Sequence, residues 1–212
     1  MGPGCRQEVR LLQGPCCNRC GLPFSGALTE GFTCANCGDM TLHFTRARAA
    51  AAAQGPLLEI IHRWKYSRAL WFEPYLAELL GAAAAAAVAT EGWNLIVPVP
   101  LHPARERERE FNQAEHLAGH LAGATGLRLA SGVVARGFRT HTQTRLSRED
   151  RAANMRAVFE PGRRAQVAAG RRVVLVDDVL TTGATANACA QVLQRLGAAE
   201  VCVWTLARGL LH

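Results

Sequence analysis

Residues 171–185, Arg-Arg-Val-Val-Leu-Val-Asp-Asp-Val-Leu-Thr-Thr-Gly-Ala-Thr, limit what this chain can fold into more tightly than any other segment. Val173 to Val176 is too short for a helix and β-branched enough for a buried strand. From Thr185 to Leu196, apolar and small residues recur at helical spacing and stop at Gly197. The polar residues between them therefore sit on a strand-to-helix turn. Such a turn leaves several backbone N–H groups without intrahelical partners, and the helix dipole adds roughly half a positive charge at the same end. A phosphate satisfies both needs. Thr181, Thr182 and Thr185 add hydroxyl donors, and Gly183 lets the backbone approach an anion with no Cβ in the way.

Asp177 and Asp178 would repel that phosphate, so they must serve another part of the ligand. Carboxylates accept hydrogen bonds from the vicinal hydroxyls of a ribose and can hold a divalent cation. A ribose 5-phosphate carries both features. A nucleotide-binding P-loop is excluded, because Gly183 is followed by Ala184 and Thr185 where that loop needs a lysine. The alternative, that these residues only cap a helix and build a turn, needs one such residue. Six polar or glycine positions cluster here.

Cys17-x-x-Cys20 and Cys34-x-x-Cys37 are two close pairs separated by thirteen residues, close to the spacing of four-thiolate zinc sites. Gly21 and Gly38 follow the second cysteine of each pair, as a tight turn requires. Binding free energies of such sites, on the order of 10–16 kcal/mol, are enough to fold a segment too small for its own core. Four thiolates leave no open position, so the Zn²⁺ is structural. Two disulfides are the alternative, disfavoured in a reducing cytosol. Cys16 is a poorer-spaced substitute for Cys17. Cys5, Cys189 and Cys202 have no partner at ligand spacing and are expected to be buried small apolar residues.

The 212 residues allow one core of roughly 150 residues plus a small module. The predicted organisation is a zinc ribbon-like module over 1–45, a helical linker over 46–92 and a larger domain over 93–212. In the linker, Pro56 opens a helix carrying Leu57, Leu58, Ile60, Ile61 and Trp64 on one face. Lys65, which follows, is the only lysine in the chain. A second helix is expected over about 69–90, with Trp71, Leu76, Leu79 and Leu80 in the core. The runs Ala49–Ala53 and Ala82–Ala87 read as helix interiors or composition bias, each short of the roughly 20 apolar residues of a membrane span. With no apolar stretch before Pro15 to act as a signal peptide, a cytoplasmic location without membrane insertion is expected. Leu95–Val99 is the predicted first strand of the core. Asn112 is placed to cap a helix carrying Ala114, Leu117, Ala118 and Leu121 and ending before Gly126. The stretch 136–156 is basic and polar, a surface loop with a weak capping signature at Ser147-x-x-Asp150.

Residue by residue, 177–185 resembles the 5-phosphoribosyl 1-pyrophosphate (PRPP) signature of type I phosphoribosyltransferases, Asp-Asp-x-x-Thr-Thr-Gly-x-Thr. The segments 97–103 (Val-Pro-Val-Pro-Leu-His-Pro), 105–109 (Arg-Glu-Arg-Glu-Arg), Phe111-Asn-Gln113 and 143–154, together with the cysteine-rich start, resemble the successive blocks of the ComF family of competence-associated proteins. The resemblance implies an α/β fold, a Rossmann-like type I phosphoribosyltransferase core with a parallel sheet. It implies PRPP binding by Asp177, Asp178, Thr181, Thr182, Gly183, Ala184 and Thr185, with Asp177 and Asp178 also catalytic and Mg²⁺ accompanying PRPP. It makes the turn around Leu101–Arg109 a pyrophosphate loop, where Arg105, Arg107 and Arg109 offer guanidinium forks. Glu106, Glu108 and Glu110 alternate with them, so a solvated mixed-charge run is the alternative there. The chain departs from the family at Arg109-Glu110, where an Arg-Gly step is usual. Gln143, Arg148, Arg151 and Asn154 fall in the implied hood that closes over the sugar, and Lys65-Tyr66 matches a Lys-Tyr pair.

The expected function is transfer of a phosphoribosyl group to an unknown nitrogen acceptor with release of pyrophosphate, a pentosyl transfer tied by resemblance to DNA uptake in natural competence. No general base stands out in the sequence. Two alternatives come from other classes. One is a non-catalytic competence factor that binds single-stranded DNA and keeps PRPP as a ligand only. The other is an adaptor whose zinc module docks another protein, for instance of the competence machinery. A net charge of +7 and a pI near 9.3 permit a nucleic-acid partner without being diagnostic of one.

Overall fold

Nearly continuous runs of Val, Leu and Ile build a sheet that is buried on both faces, the pattern of parallel strands covered by helices. The computed structural model describes residues 3–24, 32–38, 40–137 and 158–210. Its strands are β1 (Arg46–Ala52), β2 (Leu95–Pro98), β3 (Arg128–Leu129), β4 (Val134–Arg136), β5 (Phe159–Pro161), β6 (Arg172–Leu180) and β7 (Glu200–Arg208). The helices are α1 (Pro3–Gln7), α2 (Ala35–Gly38), α3 (Gly55–Tyr66), α4 (Glu73–Thr90), α5 (Pro103–Arg109), α6 (Gln113–Thr125) and α7 (Ala184–Arg195). Five strands pair in parallel in the order β1-β7-β6-β2-β3, and β4 and β5 form a separate antiparallel pair. This is the parallel α/β architecture that the resemblance implies.

Strand alternation sorts the side chains into two cores. Val174 and Val176 of β6 join Ile96 and Leu206 against Leu57 and Trp64 of α3, Leu76 and Leu80 of α4, and Leu117 and Leu121 of α6. Val173 and Leu175 join Leu95, Val97 and Val203 against Ala186, Cys189 and Leu193 of α7. Helices thus cover both faces. From β2 the chain runs through α5 and α6 to β3 on one side, while β6, paired with the other edge of β2, continues through α7 to β7. With α6 and α7 on opposite faces, a crevice opens beyond the carboxyl ends of β2 and β6, where open α/β sheets bind ligands.

Asn112 caps α6 as expected: its Oδ1 accepts from the Ala114 N–H at 3.0 Å, and Gly126 ends the helix at φ 71°. Cys189 and Cys202 are buried as expected, whereas Cys5 is exposed.

Three further readings are corrected. The core sheet begins at β1, before Leu95–Val99, and β1 takes in most of the first alanine run, which was read as a helix interior or composition bias. Tertiary packing overrides alanine's helix propensity here. The cysteine-bearing segment lies directly on β1: Ala47 N–H donates to Arg19 O at 2.7 Å, and Arg48 Nη1 to Asn18 O at 3.1 Å. The outer edge of β1 is covered by residues 10–12, where Leu12 N–H donates to Ala50 O at 3.0 Å and Ala52 N–H to Arg10 O at 2.9 Å, which hides a strand edge from other chains.

Trp71, assigned to the core by helical spacing, is 74% exposed, because it lies in a 3-10 turn (Leu70–Phe72) that breaks the register before α4 begins. The span Leu70–Thr90, 21 residues with hydropathy 1.2, is long and apolar enough to cross a membrane by length and composition, which the alanine run taken alone is not. Leu76, Leu80, Ala84 and Val88 nevertheless form a buried seam at four-residue spacing within the protein core.

Gly21 marks the tightest contact between the cysteine segment and the sheet. It has φ +66°, and a Cβ there would stand 2.6 Å from Ala47 O, which is backbone and cannot swing aside. Gly21→Ala is expected to cost at least about 2 kcal/mol and lower the melting temperature by roughly 4–8 °C. Calorimetric melting of the metal-loaded chain checks this, and an unchanged transition would contradict the close docking.

Candidate functional site

β6 runs on past the predicted strand, carrying Asp177 and Asp178 to its carboxyl end before the chain turns at Thr181. Alternation puts Asp177 on the face of Val173 and Leu175, and Asp178 on that of Val174 and Val176. Asp178 meets α3, where Lys65 Nζ lies 2.7 Å from its Oδ2 and both side chains are largely covered. The Asp178 N–H donates to Asp177 Oδ1 at 2.8 Å. Asp177 has its pKa pushed up to about 7, first by withdrawal from water and then by the charge of Asp178, against the pull of that N–H, Lys65 and Arg136. Asp177 is therefore a carboxyl that resists ionisation. Such a perturbed group in a crevice has the character of a functional acid or base.

The turn has the shape the sequence requires. Gly183, at φ 84°, occupies the N-cap of α7 in the left-handed region that favours glycine. Thr182 Oγ1 accepts from the Ala184 N–H at 3.3 Å, bracing the turn from within. Thr181 and Thr185 line a cavity of about 450 Å³ together with Asp177 and Asp178. Thr182, Gly183 and Ala184 shape the backbone of the turn and are not among the cavity's lining side chains.

Across the cavity stands α5, a short helix where an open loop was expected. Four-residue spacing puts Arg105 and Arg109 on the cavity side. Arg107 is not among the lining residues, since a helix turns it to another face. Arg109 is 7% exposed; its Nη1 donates to Gln113 Oε1 at 3.0 Å, and its guanidinium lies 4.6 Å over the Tyr66 ring. With Gln113 Oε1 so engaged, its buried Nε2 has no acceptor among the described residues, and Gln113 lines the cavity. A ligand oxygen would satisfy that donor. Glu110 keeps the positive-φ step that glycine usually makes, at φ 67°, and Arg68, itself at φ 50°, pairs with it at 2.9 Å. The departure at Arg109-Glu110 thus leaves the bend intact.

His62, Tyr66 and Arg136 also line the cavity. His62 was hidden among the polar positions of an amphipathic helix, and Arg136 belongs to a basic stretch whose partners are distant in sequence. The predicted hood residues Gln143, Arg148, Arg151 and Asn154 lie outside the described residues.

Cys17, Cys20, Cys34 and Cys37 are all buried, with their Sγ atoms within 4.8 Å of one another. The Cys17–Cys37 separation is 3.9 Å and the Cys20–Cys34 separation 3.6 Å. A tetrahedron with zinc–sulfur arms near 2.3 Å has edges of about 3.8 Å, so the donor set fits Zn²⁺. Cys17, not Cys16, belongs to the cluster; Cys16 forms a β-bridge with Pro23. Burial raises the Cys17 thiol, but backbone N–H groups of Cys20, Cys34 and Arg19 outweigh it and bring the pKa down to about 6. Burial and neighbouring sulfurs push Cys34 and Cys37 upward. Four sulfurs this close become thiolates together only around a cation.

A family profile for the phosphoribosyl transferase domain matches residues 113–210. The chain is 33% identical over 208 residues to competence protein F of Haemophilus influenzae, covering 97% of this chain and 89% of that protein. It is 36% identical over 197 residues to DNA utilization protein YhgH of Escherichia coli K12, covering 92% and 84%. Competence protein ComFC of Bacillus subtilis matches at 27% over 220 residues, covering 96% and 82%. These alignments include the cysteine cluster and α3, which the domain profile leaves out.

Asp177 gives the site a pH signature. Its folded pKa near 7 lies above the unfolded value of roughly 3.9, so between these values the folded state holds a proton that the unfolded state lacks. Its contribution to stability is full below the unfolded value and is lost as pH rises through the folded one. Asp177→Asn removes that loss. Without divalent ions, the variant's melting temperature relative to wild type should be lowest near pH 4 and rise by several degrees by pH 8. A difference constant with pH would contradict the raised carboxylate.

Proposed function

Because the chain belongs to the competence protein F family and carries a phosphoribosyl transferase domain, we propose that it binds PRPP in the crevice between β2 and β6 and transfers its phosphoribosyl group to a nitrogen acceptor. One observation carries this reading: the Asp177–Asp178 doublet, the Thr181 and Thr185 hydroxyls and the Arg105 and Arg109 guanidiniums line a single cavity. No other arrangement of one ligand serves them as well. The 5-phosphate lies on the amides and hydroxyls of Thr181–Thr185 at the start of α7. The ribose hydroxyls reach Asp177 and Asp178, and the pyrophosphate faces Arg105, Arg109 and the free Gln113 Nε2.

In the reaction, the C1–oxygen bond to pyrophosphate breaks as the acceptor nitrogen bonds to C1, and the leaving group departs with the electron pair. Arg105 and Arg109 stabilise the charge that develops on it. Asp177 or Asp178 would help hold an Mg²⁺ ion accompanying PRPP, which would supply further neutralisation of the leaving group. Asp177, with a proton affinity near neutrality, takes the proton released from the acceptor. Lys65 holds Asp178 in place. Zn²⁺ on Cys17, Cys20, Cys34 and Cys37 is structural. The chain serves competence or DNA utilization, a reading supported by the names its relatives carry, in the cytoplasm, where reduced thiols remain available to the metal.

Calorimetric titration with PRPP and Mg²⁺ is expected to show one site, weakened at least tenfold by Asp177→Asn with Asp178→Asn, and a panel of nucleobases and amines should reveal one that releases pyrophosphate. Absence of PRPP binding by the wild-type chain would overturn the reading.

A second reading, single-stranded DNA binding, is favoured by one stretch of the chain: Tyr66 and Trp71 are 55% and 74% exposed, and Arg63 and Arg68 in the same stretch are exposed too. Aromatic faces and cations together suit stacked bases. Trp71→Ala should weaken binding of an oligothymidylate by about 5- to 150-fold, the equivalent of roughly 1–3 kcal/mol per stacked base, in fluorescence anisotropy at low salt. No measurable wild-type affinity at roughly 50 mM salt removes this reading.

A further inference from the structure

Arg208, at the end of β7, is 1% exposed and takes part in no ion pair with a carboxylate among the described residues. A guanidinium withdrawn from water needs a full set of acceptors and a counter-charge nearby. Its acceptors come from two places. On one side, Nε donates to Cys20 O at 3.1 Å and Nη2 to Cys20 Sγ at 3.6 Å. On the other, Nη1 donates to Leu180 O at 3.0 Å, to Gly209 O at 2.7 Å and to Thr181 O. Leu180 ends β6 and Thr181 opens the turn into α7, so one side chain joins the four-cysteine cluster to that turn. The junction leaves little room: a Cβ on Gly209 would come within 3.3 Å of Thr181 Cγ2, and the Gly209 N–H donates to Leu180 O at 2.8 Å.

We infer that Arg208 is a positioning residue that ties the order of the 181–185 turn to metal occupancy of the four-cysteine centre. Four thiolates around a divalent ion carry a net charge of −2, which supplies the counter-charge that no carboxylate among the described residues provides. With the metal gone, the guanidinium loses the net charge of the metal–thiolate centre, and its hold on the Leu180 and Thr181 carbonyls slackens. A lysine cannot replace it, because a single ammonium lacks the planar fork that spans both sides. The significance for ligand binding rests on the reading of this turn as a phosphate site; the coupling itself does not.

Amide hydrogen exchange of the full-length chain tests the coupling without any ligand. Chelation of the metal is expected to speed exchange at Thr181–Thr185 at least tenfold while Leu117–Leu121 of α6 stay within about twofold. Arg208→Lys should speed exchange at the same turn with metal content unchanged at one ion per chain. Unaltered exchange at the turn in either experiment overturns the inference, as does a uniform rise that includes Leu117–Leu121, which would mean global unfolding. Titration with PRPP should then show at least tenfold weaker binding by the metal-loaded Arg208→Lys chain. If wild type binds no PRPP while the exchange results hold, the coupling stands and the proposed function fails.

Discussion

Two adjacent carboxylates at the end of a buried strand resist burial and repel each other, and much of the surrounding structure answers that difficulty. Alternation along β6 turns them to opposite faces. Lys65 reaches from α3 to pair with Asp178, while Asp177 is left with a proton affinity near neutrality. Arg136 approaches from β4, and the cationic wall of α5 stands across the cavity. A chain that only needed a stable sheet would end this strand with apolar residues. Keeping the acids costs stability, and that cost points to a ligand able to use them.

The topology supplies the place for such a ligand. Because α6 and α7 cover opposite faces, the carboxyl ends of β2 and β6 part without any local irregularity, and the crevice is a consequence of connection order. What is particular to this chain is how the crevice is walled. α3, which precedes the matched domain, lends Leu58, His62, Lys65 and Tyr66 to it. The cysteine segment lies on β1 through the small residues Gly21 and Ala47, and through Arg208 it touches the start of the 181–185 turn. The module at the amino end is therefore built into the sheet's support.

The strand-turn-helix at 171–185 was legible because local rules coincide there: a β-branched run, a glycine at positive φ, and a helix ending at Gly197. The cap at Asn112 and the choice of four cysteines were legible for the same reason, being short-range patterns with one physical solution. Ala49 to Ala52 were misread because their strand state depends on a segment about 40 residues earlier and a strand 156 residues later. Trp71 was misread because one 3-10 turn shifts the helical phase. The alternating charges at 105–110 gave no sign that a helix would select Arg105 and Arg109 and turn Arg107 away. Pairings such as Lys65 with Asp178, or Arg208 with Cys20, join residues more than 100 positions apart and have no local signature.

The central claim is that the acidic doublet and the turn after it receive the two ends of one phosphorylated pentose. A crystal structure of the chain soaked with ribose 5-phosphate tests it most directly. The account predicts the phosphate within about 3 Å of the backbone amides of Thr182–Thr185, with the ring hydroxyls on Asp177 and Asp178. A phosphate bound elsewhere, with that turn closed by its own side chains, would contradict it.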